Sequence, residues 1–279
     1  MPAIREIAAI ARLDLSEVLR SRWLIFCVAL YAVIGLVFVF VALRESTVLS
    51  FTGMSRVLFS FCHAILLVLP LLALTATGHV VNRSRDEGTL ELLFSHPVTR
   101  SGYFLAVTLV RVVVLIAPLA VLIVGMAIVG RFVFGEAIRW AFLGNLLLLS
   151  SSLLWTFVGC GLAISVLVPN QAKAMIYVLL TWGISVAVMD FGLIGLMLQW
   201  RINPEGVFAL ALINPVQAAR MALLSSAEPS LAVLGPVGFY MANRVGASML
   251  LTLGIVWPVV AGALAWVVGY RRFRYQDLP

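Results

Sequence analysis

The chain has 279 residues, of which 63% are hydrophobic and 11% are charged, and its mean hydropathy is +1.11. A water-soluble domain of this length cannot cover so many apolar side chains, so the composition excludes an ordinary soluble protein and indicates one embedded in a bilayer. Its 19 basic residues, against 12 acidic ones, interrupt apolar stretches and do not cluster on one surface, which argues against nucleic-acid binding.

The first element predicted from the N-terminus is an amphipathic helix. Its apolar positions recur at three- and four-residue intervals: Ile4, Ile7, Ala11, Leu15 and Val18. Charged residues such as Asp14 fall elsewhere around the helix. We therefore predict that residues 1–22 form an elbow helix in the membrane interface, with a short soluble extension of the first span as the alternative.

Six apolar stretches predict membrane-spanning helices, because about 20 residues at 1.5 Å each cross roughly 30 Å of hydrocarbon. They cover approximately residues 23–43, 57–81, 104–129, 140–168, 172–198 and 246–270. The first stretch is longer than the apolar part of a signal peptide, so we expect it to be retained. The predicted fold class is all-α, a polytopic integral membrane protein with one transmembrane domain over residues 1–279.

An even number of spans places both termini on one side of the membrane. That side carries 11 arginine and lysine residues and the opposite side 7, with Arg111 inside span three. The positive-inside rule thus predicts a multi-pass protein of the bacterial inner membrane with both termini in the cytoplasm. We expect Arg111 to extend its long side chain to the cytoplasmic headgroups.

The loop between spans two and three, residues 82–103, is rich in charge and contains a predicted short helix. Thr89 is a candidate N-cap, Glu91 lies in the first turn, and Pro97 ends the helix. Apolar side chains share one face of it: Leu90, Leu93 and Phe94. Such a helix suits docking into a cytoplasmic partner, but a helix resting on lipid headgroups has the same pattern.

The segment between spans five and six, residues 199–245, contains two Asn-Pro pairs, which signal turns or helix starts. Its apolar stretches are too short to span, so we predict short external helices that form a gate or a platform for a periplasmic partner. A plain capping loop is the alternative. Candidates for an outer gate are Asp190, near the outer end of span five, together with Asn214 and Pro215.

We assign no catalytic, cofactor-binding or metal-binding residue and no enzyme activity to this chain. A phosphate-binding loop needs G-x-x-x-x-G-K-[S/T], and Lys173, the sole lysine, follows Gln171-Ala172. Neither a zinc-protease motif nor a serine–histidine arrangement is present. Cys62 and His63 are copper(I) ligands by type, but neighbours on a helix point about 100° apart, so we favour burial over ligation.

The stretch RDEGTLELLFSHPVTR, residues 85–100, closely resembles the E-x-G-T-L-E-x-L-L-x-x-P-V-S-R loop of permeases in the second ABC exporter class. In that family an elbow helix precedes six spans, the loop after span two is the coupling helix, and a long external segment separates spans five and six. All of these features occur here in that order. Within the class, the chain most resembles permeases of a complex that matures the copper enzyme nitrous oxide reductase, through residues 20–23, 86–90 and 212–215, although Ser95-His96 departs from the usual pattern.

The resemblance implies the membrane-spanning permease of an ATP-driven transporter, which couples hydrolysis by a separate ATPase to export or to a conformational change in a periplasmic partner. The implied partners are two cytoplasmic ATPase subunits carrying ATP and Mg²⁺, a second copy of this chain, membrane lipid and a periplasmic NosD-like protein. The residues that would couple to the ATPase are Arg85, Asp86, Glu87, Gly88, Thr89, Leu90, Glu91, Leu93, Phe94, Pro97 and Arg100.

An ATP-independent secondary transporter or channel is the alternative function. It predicts internal repeats, broken helices and buried polar groups at mid-membrane. The residues offer only Pro118, in span three, and no clear repeat. Apolar spans without an obvious polar path suit either a lipophilic cargo or a subunit that transmits force without passing anything.

Overall fold

The computed structural model describes residues 2–48, 52–135, 139–188, 204–227 and 245–275, and the regular elements in these ranges are helical. The α-helices are α1 (Pro2–Leu19), α2 (Arg22–Val48), α3 (Thr52–Thr77), α4 (Val80–Asp86), α5 (Thr89–Phe94), α6 (Arg100–Phe134), α7 (Trp140–Leu167), α8 (Gln171–Gly183), α9 (Pro204–Ile213), α10 (Pro215–Ala227) and α11 (Ala247–Tyr275). A π-helical segment, Ile184–Val188, continues α8. The predicted all-α fold is confirmed.

Within the described ranges, six helical segments are long and apolar enough to cross a membrane, which agrees with the predicted number. Span one is α2, span two is α3 continued by α4, span three is α6, span four is α7, span five is α8 with its π segment, and span six is α11. The predicted end of span five, including Asp190, lies outside the described residues.

Spans two and four form the centre of the bundle. In each of them 67% of the most apolar 18-residue stretch is buried inside the protein, whereas the share is 17–22% in the other four spans. The exposed apolar side chains of those four spans fit a hydrocarbon surrounding, in which leucine and valine need no polar cover. The packed interior of the protein therefore runs along α3 and α7.

Spans four and six approach closely because glycines remove side chains where the two backbones meet. A Cβ on Gly262 of α11 would lie 2.7 Å from Thr156 Cα in α7, and one on Gly159 would collide with the Gly262 carbonyl. Beside this contact, Thr156 Oγ1 donates a hydrogen bond of 2.6 Å to the Pro258 carbonyl. Lipid offers no hydrophobic drive between helices, so close approach and interhelical hydrogen bonds stabilise this pair.

The short helix α10 is inserted between spans six, four and two. A Cβ on Gly254 of α11 would collide with Ala222 of α10, and would lie 3.2 Å from Leu149 of α7. The buried apolar residues of α10 are small or medium-sized: Val216, Ala218, Ala219, Met221, Ala222, Leu223 and Leu224. The two short helices predicted in this segment are present, but α10 packs far more deeply than a helix that covers only the ends of the spans.

Adding one methyl group at Gly262 should weaken the contact between spans four and six. We expect Gly262→Ala to cost about 1–3 kcal/mol by overpacking, because two of the three atoms nearest its Cβ, Thr156 Cα and N, belong to the α7 backbone and cannot rotate away. The apparent melting temperature in detergent should fall by several degrees. Gly144→Ala is the matched control, since its Cβ would meet nothing within 4 Å; equal melting temperatures for the two variants would contradict this account.

Candidate functional site

The charged loop after span two folds into α4 and α5, which are joined at Gly88. Gly88 has φ of 69°, in the left-handed region that glycine adopts without strain. It is the N-cap residue of α5, so the prediction that Thr89 caps this helix is wrong, and Thr89 is its first residue. Glu91 lies in the first turn as predicted, and α5 ends at Phe94, before Pro97.

The apolar face of α5 points into the bundle. Leu90 is 2% exposed, and Leu93 and Phe94 pack against the same core cluster. The Phe94 ring centroid lies 6.1 Å from that of Tyr103 in α6 and 6.4 Å from that of Phe273 in α11. These apolar side chains, which the sequence offered as a docking surface, instead fix α5 to the ends of spans three and six.

The opposite side of α5 is exposed, and we call it the α5 outer face: Glu91, Leu92, Ser95 and His96. Leu92 is 69% exposed, although the leucines on either side of it, Leu90 and Leu93, pack into the bundle. Asp86, at the end of α4, is exposed as well. Sequence reasoning missed Leu92, although a run of apolar residues as dense as LELLF cannot turn every one of them to one side of a helix.

The charged residues predicted at this site have different surroundings. Arg83 Nε donates to Glu87 Oε1 at 2.8 Å, but both side chains are half exposed, so this ion pair adds little stability. Arg100 Nη1 donates to the carbonyl of Arg274, near the end of α11, at 3.3 Å. Arg85 is half-buried, and its Nε and Nη2 have no hydrogen-bond acceptor among the described residues.

The beginning of α6 is capped with the help of α1. Thr99, the N-cap residue, accepts a hydrogen bond of 3.1 Å from the Gly102 N–H on its Oγ1. In an ordinary capping box the residue at Gly102 would be glutamate and would accept from the N-cap N–H. Here Glu6 of α1 does so: its Oε1 accepts from Thr99 N at 2.7 Å and from Thr99 Oγ1 at 2.8 Å. A Cβ at Gly102 would lie 2.5 Å from that oxygen, which explains the glycine.

Helix α1, predicted from its periodicity, is confirmed, and it runs beside the first part of α6 in the same direction. Glu6 meets Thr99, and twelve residues later Val18 packs against Val110 and Val114. The end of the bundle that carries α1, α5 and the last turns of α11 is therefore held together through the beginning of α6, which contacts each of them, and we call it the α5 end.

A buried ion pair joins α1 to span three. Arg111 Nη2 donates to Asp14 Oδ1 at 3.0 Å, and the two side chains are 13% and 11% exposed. Burial raises the pKa of Asp14 above its ordinary value, and the Arg111 charge opposes that rise. Asp14 thus lies on the packed face of α1, not on the polar face as predicted, and Arg111 pairs within the protein instead of extending to headgroups.

At the opposite end of the bundle, Asn214 is a buried capping residue. Its Oδ1 accepts from Val216 N at 2.9 Å, and its Nδ2 donates to the Ser185 carbonyl in the π segment of span five. Pro215 occupies the first position of α10, where its missing N–H costs nothing. These contacts tie α10 to span five; the third predicted gate residue, Asp190, lies outside the described residues.

The part of the chain that the structure describes contains no candidate metal site. No group of three or more histidine, cysteine, aspartate or glutamate residues there could hold an ion. Cys62 is completely buried in the core cluster that spans two and four dominate.

Comparison with known proteins gives one consistent result. The sequence model described as ABC-2 family transporter protein matches residues 8–278. The chain is 28% identical over 269 residues to the probable ABC transporter permease protein NosY of Stutzerimonas stutzeri, covering 94% of this chain and 97% of that protein. It is 26% identical over 274 residues, with the same coverage, to the protein of that name in Pseudomonas aeruginosa. The resemblance predicted from residues 85–100 is confirmed.

The contact between Glu6 and Thr99 should show as a coupling energy. Glu6→Ala and Thr99→Ala should each lower the free energy of unfolding by about 1 kcal/mol, because each removes the same cap. The double variant should lose less than the sum, with a coupling of about 1 kcal/mol in a double-mutant cycle of thermal unfolding in detergent. Glu17→Ala, on an exposed part of α1, should be additive with Thr99→Ala; full additivity of Glu6 with Thr99 would refute the shared cap.

Proposed function

Because the chain belongs to the ABC-2 family of transporter proteins and is a multi-pass membrane permease subunit, we propose that a separate ATPase subunit drives it through α5. In this proposal the α5 end faces the cytoplasm, and the ATPase docks on the α5 outer face. ATP and Mg²⁺ are held by the ATPase, and this chain converts the movement of its partner into a change in the membrane.

One observation carries the proposal: α5 is exposed on one side and fixed to several spans on the other. Leu92 offers an apolar contact to a partner, and Glu91 beside it offers a charged one. On the inner side Leu90 is buried, and the Phe94 ring contacts both span three and span six. Because packed cores rearrange as units and do not deform gradually, a displaced α5 should carry the ends of these spans with it.

Span six links the α5 end of the bundle to the opposite end. Trp266 Nε1 donates to Thr108 Oγ1 of α6 at 2.9 Å, so the inner halves of spans six and three are joined. Further along α11, Gly262 is in backbone contact with α7, and Gly254 is in contact with α10. A rigid shift of α11 would therefore reach α10, and we propose that α10 and the segment around it act as the gate or as the platform for a periplasmic partner.

We propose a working assembly of two copies of this chain and two ATPase subunits, twelve spans in all. The similarity to two permeases named NosY supports a role in maturing the copper site of nitrous oxide reductase, with a NosD-like protein on the periplasmic side. Its apolar spans suit either a lipophilic cargo or the transmission of force to that partner. This chain would contribute movement, and the copper chemistry would belong to other proteins.

Replacing Leu92 by arginine should weaken the docking of the ATPase. The variant places a charge at the centre of the exposed apolar contact, and we expect at least about a tenfold loss of affinity. The measurement is the amount of P-loop ATPase, identified by mass spectrometry, that co-purifies with the tagged chain from native membranes, together with the ATP hydrolysis of the complex. Leu19→Arg is the matched control, because Leu19 is an exposed leucine at the end of α1. Unchanged ATPase recovery with Leu92→Arg would remove α5 as the docking site.

The orientation of α5 can be measured by cysteine labelling. After Cys27, Cys62 and Cys160 are replaced by alanine, a Glu91→Cys variant should react with a membrane-impermeant maleimide in inside-out vesicles and not in intact spheroplasts. An Arg139→Cys variant, at the opposite end of the bundle, should show the reverse pattern. Labelling of position 91 from the periplasmic side would be incompatible with an ATPase on this face.

A further inference from the structure

A polar cavity lies between α1, the junction of α3 with α4, and α6. Its volume is about 90 Å³, several times the space that one water molecule needs. Its lining includes six ionisable side chains, those of Asp14, Glu17, Glu87, Arg83, Arg111 and His79. We call it the elbow cavity. Four of these groups form two ion pairs, Asp14 with Arg111 and Arg83 with Glu87.

The base of the elbow cavity holds an unmet acceptor beside an unmet donor. Asp14 is 8% exposed, and its ion pair with Arg111 uses Oδ1 and Nη2. Asp14 Oδ2 and Arg111 Nε are buried and have no hydrogen-bond partner among the residues that the structure describes. Since buried polar groups are costly without partners, these two atoms call for a partner that donates to the carboxylate and accepts from the guanidinium.

The mouth of the cavity adds negative charge. Arg83 is bonded to Glu87 at 2.8 Å, and Glu17 lies 4.0 Å away from the Arg83 guanidinium; all three side chains are at least half exposed. Among the five formally charged side chains of the cavity there are three carboxylates and two guanidinium groups. The surplus carboxylate favours a ligand with a cationic group, while Arg111 Nε requires an anionic or neutral oxygen. A zwitterion meets both requirements.

The surface beside the cavity is apolar. Trp23 lines the cavity, and Phe26, on the same face of span one three residues later, is 58% exposed. In a bilayer these side chains face acyl chains. A ligand that places a charged head in the cavity and hydrocarbon along span one fits both surfaces, whereas a soluble zwitterion would leave the apolar surface unused.

We propose that the elbow cavity binds the headgroup of phosphatidylethanolamine. A phosphate oxygen accepts from the Arg111 guanidinium and the primary ammonium donates to the Asp14 carboxylate, since both side chains line the cavity. Because Asp14 Oδ2 and Arg111 Nε are buried, the two side chains shift apart when the headgroup enters. Phosphatidylcholine has the same charges, but its quaternary ammonium has no N–H to donate, so the cavity discriminates between the two lipids. Because Glu87 and Thr89 also line the cavity, the bound lipid fixes the position of α1 against the loop that carries α5.

The test is a direct comparison of lipid binding by the purified full chain. Native mass spectrometry after titration with dioleoylphosphatidylethanolamine or dioleoylphosphatidylcholine should show a preference of about tenfold for the ethanolamine lipid, the size expected for one charge-assisted hydrogen bond. Equal binding of the two lipids would overturn the proposal. Soluble phosphoethanolamine should compete only weakly; competition as tight as that of the lipid would overturn the assignment of the ligand as a lipid.

Two variants locate the binding. Asp14→Asn combined with Arg111→Gln removes both charges together, leaves no unpaired buried ion, and should abolish the preference; a preference that survives places the lipid elsewhere and refutes the site. If this double variant does not fold, Glu17→Gln at the exposed mouth should reduce the affinity for the ethanolamine lipid by about twofold to threefold, and an unchanged affinity counts against the site. Glu91→Gln, outside the cavity, is the control and should bind as the unaltered chain does. Because the readout is lipid binding without an ATPase, the result is independent of the proposed docking on α5.

Discussion

The backbone contact between spans four and six is the interaction on which the rest of the structure depends. Hydrocarbon surrounds the spans, so apolar side chains gain little by touching one another, and helices stay together through close approach and hydrogen bonds. Gly262 and Gly159 allow that approach, and Thr156 adds a bond to the Pro258 carbonyl. Because α11 is held against the central α7, one end of α11 packs against α10. At its other end, Phe273 packs against aromatic side chains of α5 and α6.

Span six therefore contacts different elements at its two ends. It connects the α5 end of the bundle to the opposite end. Near one end the Phe273 ring stacks on those of Tyr103 and Phe104 and lies beside that of Phe94. Near the other end Gly254 contacts α10, and Trp257 Nε1 donates to the Ile213 carbonyl of α9 at 3.1 Å. If α11 were loosely packed along its middle, a displacement at one end would not reach the other end. The backbone contact of Gly262 with α7 instead favours movement of α11 as a rigid body.

Periodicity and length were enough to predict the six spans, α1 and α5, because each of these properties is local to a segment. Apart from the N-cap of α5, which is Gly88 and not Thr89, the errors came from contacts that are distant in the chain. Asp14 was assigned to the polar side of α1 because its partner, Arg111, is 97 residues away. Leu92 was overlooked because an isolated helix gives no sign of which apolar side chains the bundle will cover. The deep burial of α10 depends on Gly254 of α11. The role of this glycine cannot be recognised until α10 and α11 are placed side by side.

The cap shared by Glu6 and Thr99 has a consequence for biogenesis. Glu6 precedes Thr99 by 93 residues, so during translation the carboxylate leaves the ribosome well before the threonine that it will bind. The start of span three is therefore capped by a residue that is synthesised before the first two spans, so this cap forms only when the tertiary structure brings α1 to α6.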